Sequence, residues 1–487
     1  MKDQSTFRCC DDKTRVFIVS DISNEPDDAE SLVRYLLYCN EFETRGLVAC
    51  TSTWMKRAVH RGDMHKIIDA YEKIVDNLNK NVHPHNQYPS AESIRALVKT
   101  GPVLYGKEAL EPDVPLSEGA KLLIERLDES DRPLWILCWG GTNFLAQALQ
   151  HSARLRSKMR VYALSDQDDT GAWIRHRYPD IFYIASVHGW NQYGLAAWTG
   201  ISGDKFYGFD QGGPSFEKMT KEWIKENIQI GSLGAAYPDY LFIPEGDTPK
   251  FLYLIQNGLG SAEHPEWGSW GGRYLPSNAG VVSNHYADAV DRVVGADGCT
   301  HVSNQAAVWR WRDAFQDSFA ARIQWILSDD NSNTNHAPII VVNGSSQGPE
   351  PIFIEAEADS EIDLDTTGTY DPDGDELTYH WFQYKDITAT QWWVDAEVHD
   401  VAFVDQDPSK PGTKVKVKLP PPDKCAVDIF TRQPQAKGQI LHLILEVKYK
   451  GSPPLTSYKR VVVQVTNPRL LGGQEKPAES IAEAHRG

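Results

Sequence analysis

Five short apolar runs separated by helical periodicities constrain this chain most: Val16–Val19, Gly46–Cys50, Leu134–Trp139, Val161–Leu164 and Ile181–Ala185. None alternates apolar with polar residues, so each reads as a strand covered on both faces. Between them, Ala29, Leu32, Val33, Leu36 and Leu37 follow Pro26 as one helix face. Helical patterns also cover Met64 to Leu78 and Leu116 to Leu127, and another starts near Thr142. Repeated βα units mean an α/β fold, a mostly parallel sheet with flanking helices. A long helix carrying Trp311, Phe315, Phe319 and Ile326 closes this region.

The polar stretch Ser328–His336 ends that pattern. Beyond it, alternating segments at Phe353–Ala358, Lys414–Leu419, Leu441–Val447 and Arg460–Val465 lie between Pro- and Gly-rich turns, the pattern of a β-sandwich. The expected division is an α/β domain over residues 14–330, a β-sandwich over 337–466, and a tail over 467–487 without apolar periodicity that reads as disordered.

Charge and composition narrow the function classes. With 49 Lys+Arg against 67 Asp+Glu in 487 residues, the net charge is −18. This argues against a binder of nucleic-acid backbones. No apolar run reaches the roughly 18 residues of a membrane span. Met1–Asp12 lacks the apolar core of a signal peptide, so the chain reads as intracellular. Seven cysteines include no CxxC pair, so no zinc site of the usual close spacing is present, and Cys9 and Cys10 read as surface thiols. Fifteen Trp invite a search for sugar-stacking platforms, although buried rings are the commoner cause of such a count.

The loop Ser20-Asp21-Ile-Ser-Asn-Glu-Pro-Asp27-Asp28 leaves the first strand where open α/β sheets bind ligands, outside the carboxyl ends of the strands. Asp27 and Asp28 alone could simply complement the helix macrodipole. With Asp21 at the strand tip, three carboxylates converge, and a bound cation becomes the stronger reading. Oxygen donors without His or Cys at ligand spacing suit Ca²⁺ or Mg²⁺ better than zinc. Gly140-Gly-Thr-Asn143 could bind an anion at a helix N-terminus, but it lacks the phosphate-loop lysine. The Gly- and Trp-rich loops after His188 place Trp190, Asn191, Trp198, Trp267 and Trp270 as candidates for sugar contact, or equally as packing for the loops. His188, His264, Glu245 and Glu266 are the candidate acids on those loops.

An apolar strand ending in Asp, then a loop, then Asp-Asp opening a helix resembles the opening motif of nucleoside hydrolases. The closer resemblance is to the nucleoside-hydrolase-like family often labelled cellulose-binding. It is carried by Asn24–Asp28, Ser31–Tyr38, Glu41–Leu47, Trp139–Asn143, Pro244–Pro249 and His264–Gly268. The resemblance implies a glycosidic-bond hydrolase with one Ca²⁺. In it Asp21 would bind the metal and deprotonate water, Asp28 would be a bidentate ligand, and Asp27 would contact sugar hydroxyls. The Trp139 carbonyl and Asp247 would complete the metal site. The Asp21–Asp27 loop is longer than in true nucleoside hydrolases and contains Glu25, and Asp166–Asp169 is the nearest counterpart of the ribose-gripping block, with Asp168 and Asp169 as its sugar contacts. The alternative function is a non-catalytic cellulose- or carbohydrate-binding protein. Either way the expected partner is a carbohydrate or nucleoside-like small molecule. A homo-oligomer is left open, and the family resemblance implies an extracellular setting. In the second domain, Asp371-Pro-Asp-Gly-Asp375 with the following strand resembles PKD-like and cadherin-like Ig modules. Its acidic loop reads as an Asp-stabilised turn, with Ca²⁺ binding the competing reading.

Overall fold

The computed structural model describes residues 2–186, 192–277, 283–345 and 348–470. It divides into two compact units, one of Met1–Ile255 with Gly260–Thr334, the other of Gln256–Leu259 with the chain from Asn335.

The first unit is built on an eight-stranded sheet. Its strands are β1 (Thr14–Ser20), β2 (Phe42–Ala49), β3 (Val98–Thr100), β4 (Leu134–Cys138), β5 (Met159–Ala163), β6 (Phe182–Ala185), β7 (Tyr274–Pro276) and β8 (His285–Asp288). They run in the order β3-β2-β1-β4-β5-β6-β8-β7. Pairing is parallel except at the β7–β8 edge. Val16, Phe17, Ile18 and Val19 are all fully buried, so β1 is covered on both faces and its unbroken apolar run is explained. Phe17 and Val19 share a core with Val48, Leu123, Ile136, Phe144 and Leu149, drawn from three strands and from the helices Glu118–Asp128 and Asn143–Ser152.

The sheet order reverses between β1 and β4. The loops leaving those two strands therefore part in opposite directions and leave a crevice at their carboxyl ends, where Asp21 and Gly140-Gly141 lie. The periodicity from Met64 to Leu78 predicts one helix, but the structure makes two, Arg61–Glu72 and Val75–Leu78. Ile67, Ile68, Tyr71 and Leu78 are buried across the break, so the apolar pattern outlasts the helix. No helix among the described residues is long and apolar enough to cross a membrane.

In the second unit, β11 (Ile352–Glu357), β13 (Leu377–Gln383), β16 (Lys437–Tyr449) and β17 (Thr456–Thr466) form a four-stranded sheet. Strands β12 (Glu361–Asp365), β14 (Ala402–Asp405) and β15 (Lys414–Lys418) form one of three; β9 (Asp291–Val294) and β10 (Thr300–Ser303) are a hairpin of the first unit. Ile362, Leu364, Val415 and Val417 from one sheet share a core with Leu441, Leu443, Val461 and Val463 from the other, which makes the pair a sandwich. The tail from 471 onward lies outside the described residues.

Gly46 shows how tightly β1 and β2 pack beneath the crevice. A Cβ there would fall 2.2 Å from Cε2 of Phe17. Gly46→Ala should lower unfolding stability by about 1–3 kcal/mol through overpacking, read by urea denaturation.

Candidate metal and sugar site

The loop after β1 and the first turn of the helix Asp27–Leu36 bring acidic groups into one buried volume. Single carboxylate oxygens of Asp27, Asp28 and Asp247 all lie within 4.8 Å of one another. Asp21, at the strand tip, stands outside that set of three but interacts electrostatically with each of them. It is buried, its Oδ2 has no hydrogen-bond partner, and its other bonds include one from Ser52. Gly140 permits the approach, since a Cβ there would stand 2.9 Å from Asp21 Oδ1 and 2.7 Å from Cys50 Sγ.

Electrostatics make this an uncomfortable arrangement without a counterion. Burial first, and then the charge of Asp247, raises Asp27 and Asp28 well above the usual carboxylate range. Burial likewise pushes Asp21 up to about 7, opposed by the Ser52 bond and reinforced by Asp247. Asp28 also hydrogen-bonds Asp247. Two carboxyls can do that only by sharing a proton. Ser20 Oγ donates to Asp28 Oδ1 and fixes its rotamer.

Lys250 is the counter-charge that the sequence did not disclose. Its Nζ is fully buried, 3.0 Å from Asp247 Oδ1 and 2.8 Å from the Gly246 carbonyl, and it lies 5.7 Å from the Trp198 ring centroid. Burial lowers its pKa, while Asp247, Asp27 and Asp28 raise it. One ammonium does not balance Asp21, Asp27, Asp28 and Asp247. An orphaned buried oxygen, hard oxygen donors and more acidic groups than one ammonium can pair together fit a divalent cation. Tyr193 stands edge-on to Trp198 at 5.1 Å, and burial followed by the charge of Asp27 raises its hydroxyl pKa.

Glu245 has a different use from the one expected. Its carboxylate takes Arg34 Nη1 at 2.7 Å and the Tyr237 hydroxyl at 3.0 Å, and its own N–H donates to Glu30 Oε2 at 2.8 Å. Arg34 also donates to Gln316 and the Phe315 carbonyl, and lies 4.5 Å from the Phe319 ring centroid. This network ties the helix Asp27–Leu36 to the turn that carries Asp247. Glu245 pays for it with a left-handed backbone, φ +57°.

The remaining candidates disperse. Asp168 Oδ2 accepts the N–H groups of Thr142 and Asn143, at 3.0 and 3.1 Å, while Oδ1 accepts Thr170 N at 2.8 Å. It therefore caps two helices, and the anion expected at the Gly140–Asn143 turn is this carboxylate. Asn143 Nδ2 donates to Thr51 Oγ1 and the Leu104 carbonyl. Asp169 is half exposed and holds Lys107 through its backbone N–H at 2.8 Å. The Trp139 carbonyl accepts Gln167 Nε2 at 2.5 Å, and a carbonyl oxygen carries a second lone pair besides. His264 and Glu266 pair with each other at 2.9 Å, and the imidazole stacks on Trp267 at 4.1 Å. Trp267 and Trp270 are only 8% and 3% exposed. His188, Trp190 and Asn191 lie outside the described residues.

The family described as "Cellulose-binding Sde182, nucleoside hydrolase-like domain" matches residues 15–274. The chain belongs to this family. The C-terminal domain of the cellulose-binding protein Sde0182 matches residues 361–465 of the second unit. Among solved structures, the chain resembles a nucleoside hydrolase-related protein from Saccharophagus degradans associated with carbohydrate metabolism. The two are 28% identical over 93% of this chain and 100% of that one, with a TM-score of 0.73. A second likeness is to an inosine–uridine preferring nucleoside hydrolase from Bacillus anthracis, at 16% identity over 65% of this chain and 100% of that one, with a TM-score of 0.32. No curated protein matches the chain. Membership in the Sde182 family makes the sheet nucleoside-hydrolase-like, and the carboxylate cluster lies at the switch point of that sheet.

Arg34→Met leaves Glu245 charged and buried without its partner. The expected loss is about 3–5 kcal/mol of unfolding free energy, measured by chemical denaturation; a loss below ~1 kcal/mol would mean that the network does not hold the turn.

Proposed function

We propose that this chain is a cation-dependent hydrolase of glycosidic bonds, acting on a furanoside-like or N-glycosidic sugar. The observation that carries the reading is the buried surplus of carboxylates at the switch point, with Asp21 Oδ2 unpartnered. Asp21, Asp28, Asp247 and the Trp139 carbonyl would hold the cation. Ca²⁺ suits these hard oxygen donors, with Mg²⁺ the alternative. A cation held there supplies Lewis acidity that eases the loss of a proton from water.

The protein's own part is to position groups and move protons. Asp21 Oδ2 accepts the proton of the attacking water. Asp27 accepts hydrogen bonds from sugar hydroxyls. Lys250 favours the ionised form of Asp247 against the effect of burial, and the Arg34–Glu245 pair keeps the Asp247 turn in place. Leaving-group protonation falls to a group outside the cluster; His264 and Glu266 pair with each other, on the loop whose Glu263 holds Arg160 at the start of β5, away from the carboxyl ends of the strands.

Calorimetry on EDTA-stripped protein should show Ca²⁺ uptake that Asp28→Asn abolishes, and absence of uptake would remove the mechanism. The pH dependence has a definite sign. An unfolded Asp titrates near 3.9, so raising the folded Asp21 to about 7 gives stability that is full at low pH. That stability is lost as pH rises through about 7. A bound cation offsets the loss. The rise in Tm on adding Ca²⁺ should therefore be larger at pH 8 than at pH 5, and an equal rise at both would contradict the buried-cluster account.

A second reading, non-catalytic carbohydrate binding, is supported by a surface that sequence inspection overlooked. In the second unit Trp392 and Trp393 are 83% and 72% exposed, and Phe430 stands edge-on to Trp392. Gln391, just before them, has φ +75°, a backbone that holds the pair outward at a cost. Exposed rings of this kind stack on sugar faces. Under this reading the chain is retained on insoluble cellulose without releasing reducing sugar. Retention should fall several-fold in Trp392→Ala/Trp393→Ala and remain in Asp28→Asn; retention that ignores the tryptophans would reject the platform.

A further inference from the structure

We propose that Cys9, His83 and His85 form a second, separate metal site in the first unit, one for Zn²⁺ or a similar borderline transition-metal ion. Cys9 Sγ and one ring nitrogen from each histidine lie within 4.8 Å of one another. The ligand atoms of a tetrahedral zinc stand about 3.5 Å apart. Small side-chain rotations of these partly exposed groups close that difference.

The backbone around the cluster is already fixed. Cys10 N donates to Asn86 Oδ1 at 2.7 Å, and Asn86 Nδ2 donates to the Cys10 carbonyl at 2.9 Å. This two-point, peptide-like pairing is buried. It docks the segment before β1 onto the 3-10 turn Pro84–Asn86, which directly follows His83. Pro84 fixes that turn, and the two imidazoles beside it meet edge-to-face at 5.0 Å. A His-x-His pair is thus held opposite a cysteine that is remote in sequence, so no local spacing motif announces it.

The ligand set decides the metal. A thiolate with two imidazoles selects zinc-like ions over Ca²⁺ and Mg²⁺, the reverse of the aspartate cluster. Binding converts the Cys9 thiol to a thiolate, and the released proton passes to solvent past Asp11, whose Oδ1 is 3.0 Å from Sγ. One weak contact is lost. The His85 N–H donates to His83 Nδ1 at 3.2 Å, and a neutral ligating imidazole cannot accept it, because one nitrogen carries the metal and the other the proton. Solvent fills the fourth position. The metal would clip the N-terminal segment to the α/β unit.

The test uses the full chain, reduced and stripped with EDTA, titrated with Co²⁺ and then Zn²⁺. Co²⁺ should produce a thiolate-to-cobalt charge-transfer absorption that Zn²⁺ bleaches. Cys9→Ser should remove that band, while Cys299→Ser leaves it unchanged. His85→Ala, at an exposed position, should weaken Zn²⁺ binding about tenfold or more with Ca²⁺ uptake intact. Absence of the band, its persistence in Cys9→Ser, or equal Zn²⁺ affinity in His85→Ala and the parent chain would each overturn the site.

Discussion

Carboxylate crowding at the mouth of the β1–β4 crevice is the constraint on which much of the first unit depends. Asp21, Asp27, Asp28 and Asp247 are pressed together from a strand tip, a helix start and a distant turn. Mutual repulsion alone would push these elements apart. A shared proton between Asp28 and Asp247, the Lys250 ammonium and the Arg34–Glu245 pair hold them. The core beneath serves the same end. Glycines at 46, 140 and 141 let strands and loops approach more closely than any side chain would allow.

Such an arrangement is costly for folding and useful for binding. A cluster kept partly protonated by burial is poised to exchange its protons for a cation, and that exchange links ligand uptake to stability and pH. Lys250 tunes the balance: it opposes the rise that burial imposes on Asp247 without neutralising the whole group. The two units differ in what they offer a ligand: the first carries a buried cluster of acidic groups, and the second carries the exposed rings of Trp392 and Trp393.

The sequence exposed what is contiguous and hid what is assembled. The β1 run, Asp21 and the Asp27-Asp28 helix start were readable because a strand, a loop and a cap follow one another in one segment. The alternating and unbroken apolar patterns likewise revealed the two fold types. Lys250 was not readable, because a lysine in a helical turn looks solvated until its neighbours are known to be acidic and buried. Arg34 and Glu245 belong to segments far apart in the chain, so their pairing left no local signal. Tryptophan counts misled in the same way. Trp267 and Trp270 sit in Gly-rich loops yet are buried, whereas Trp392 and Trp393, in a stretch without glycine, are exposed. Asp168 was expected as a sugar contact because it stands in the nearest counterpart of the ribose-gripping block; in the structure it is the N-cap of the helix Asp169–Arg177.

The double cap by Asp168 makes the crevice mechanically lopsided. Because one carboxylate locks the starts of the helices Asn143–Ser152 and Asp169–Arg177 together, the β4–β5 side of the crevice moves as a block. The opposite rim includes the loop bearing Glu25, which Ser23 Oγ ties to Asp63, and the segment bearing Tyr193, whose neighbour Gly194 accepts a bond from Gln305. A ligand entering the crevice would therefore meet one wall on which a single carboxylate fixes two helix starts at once.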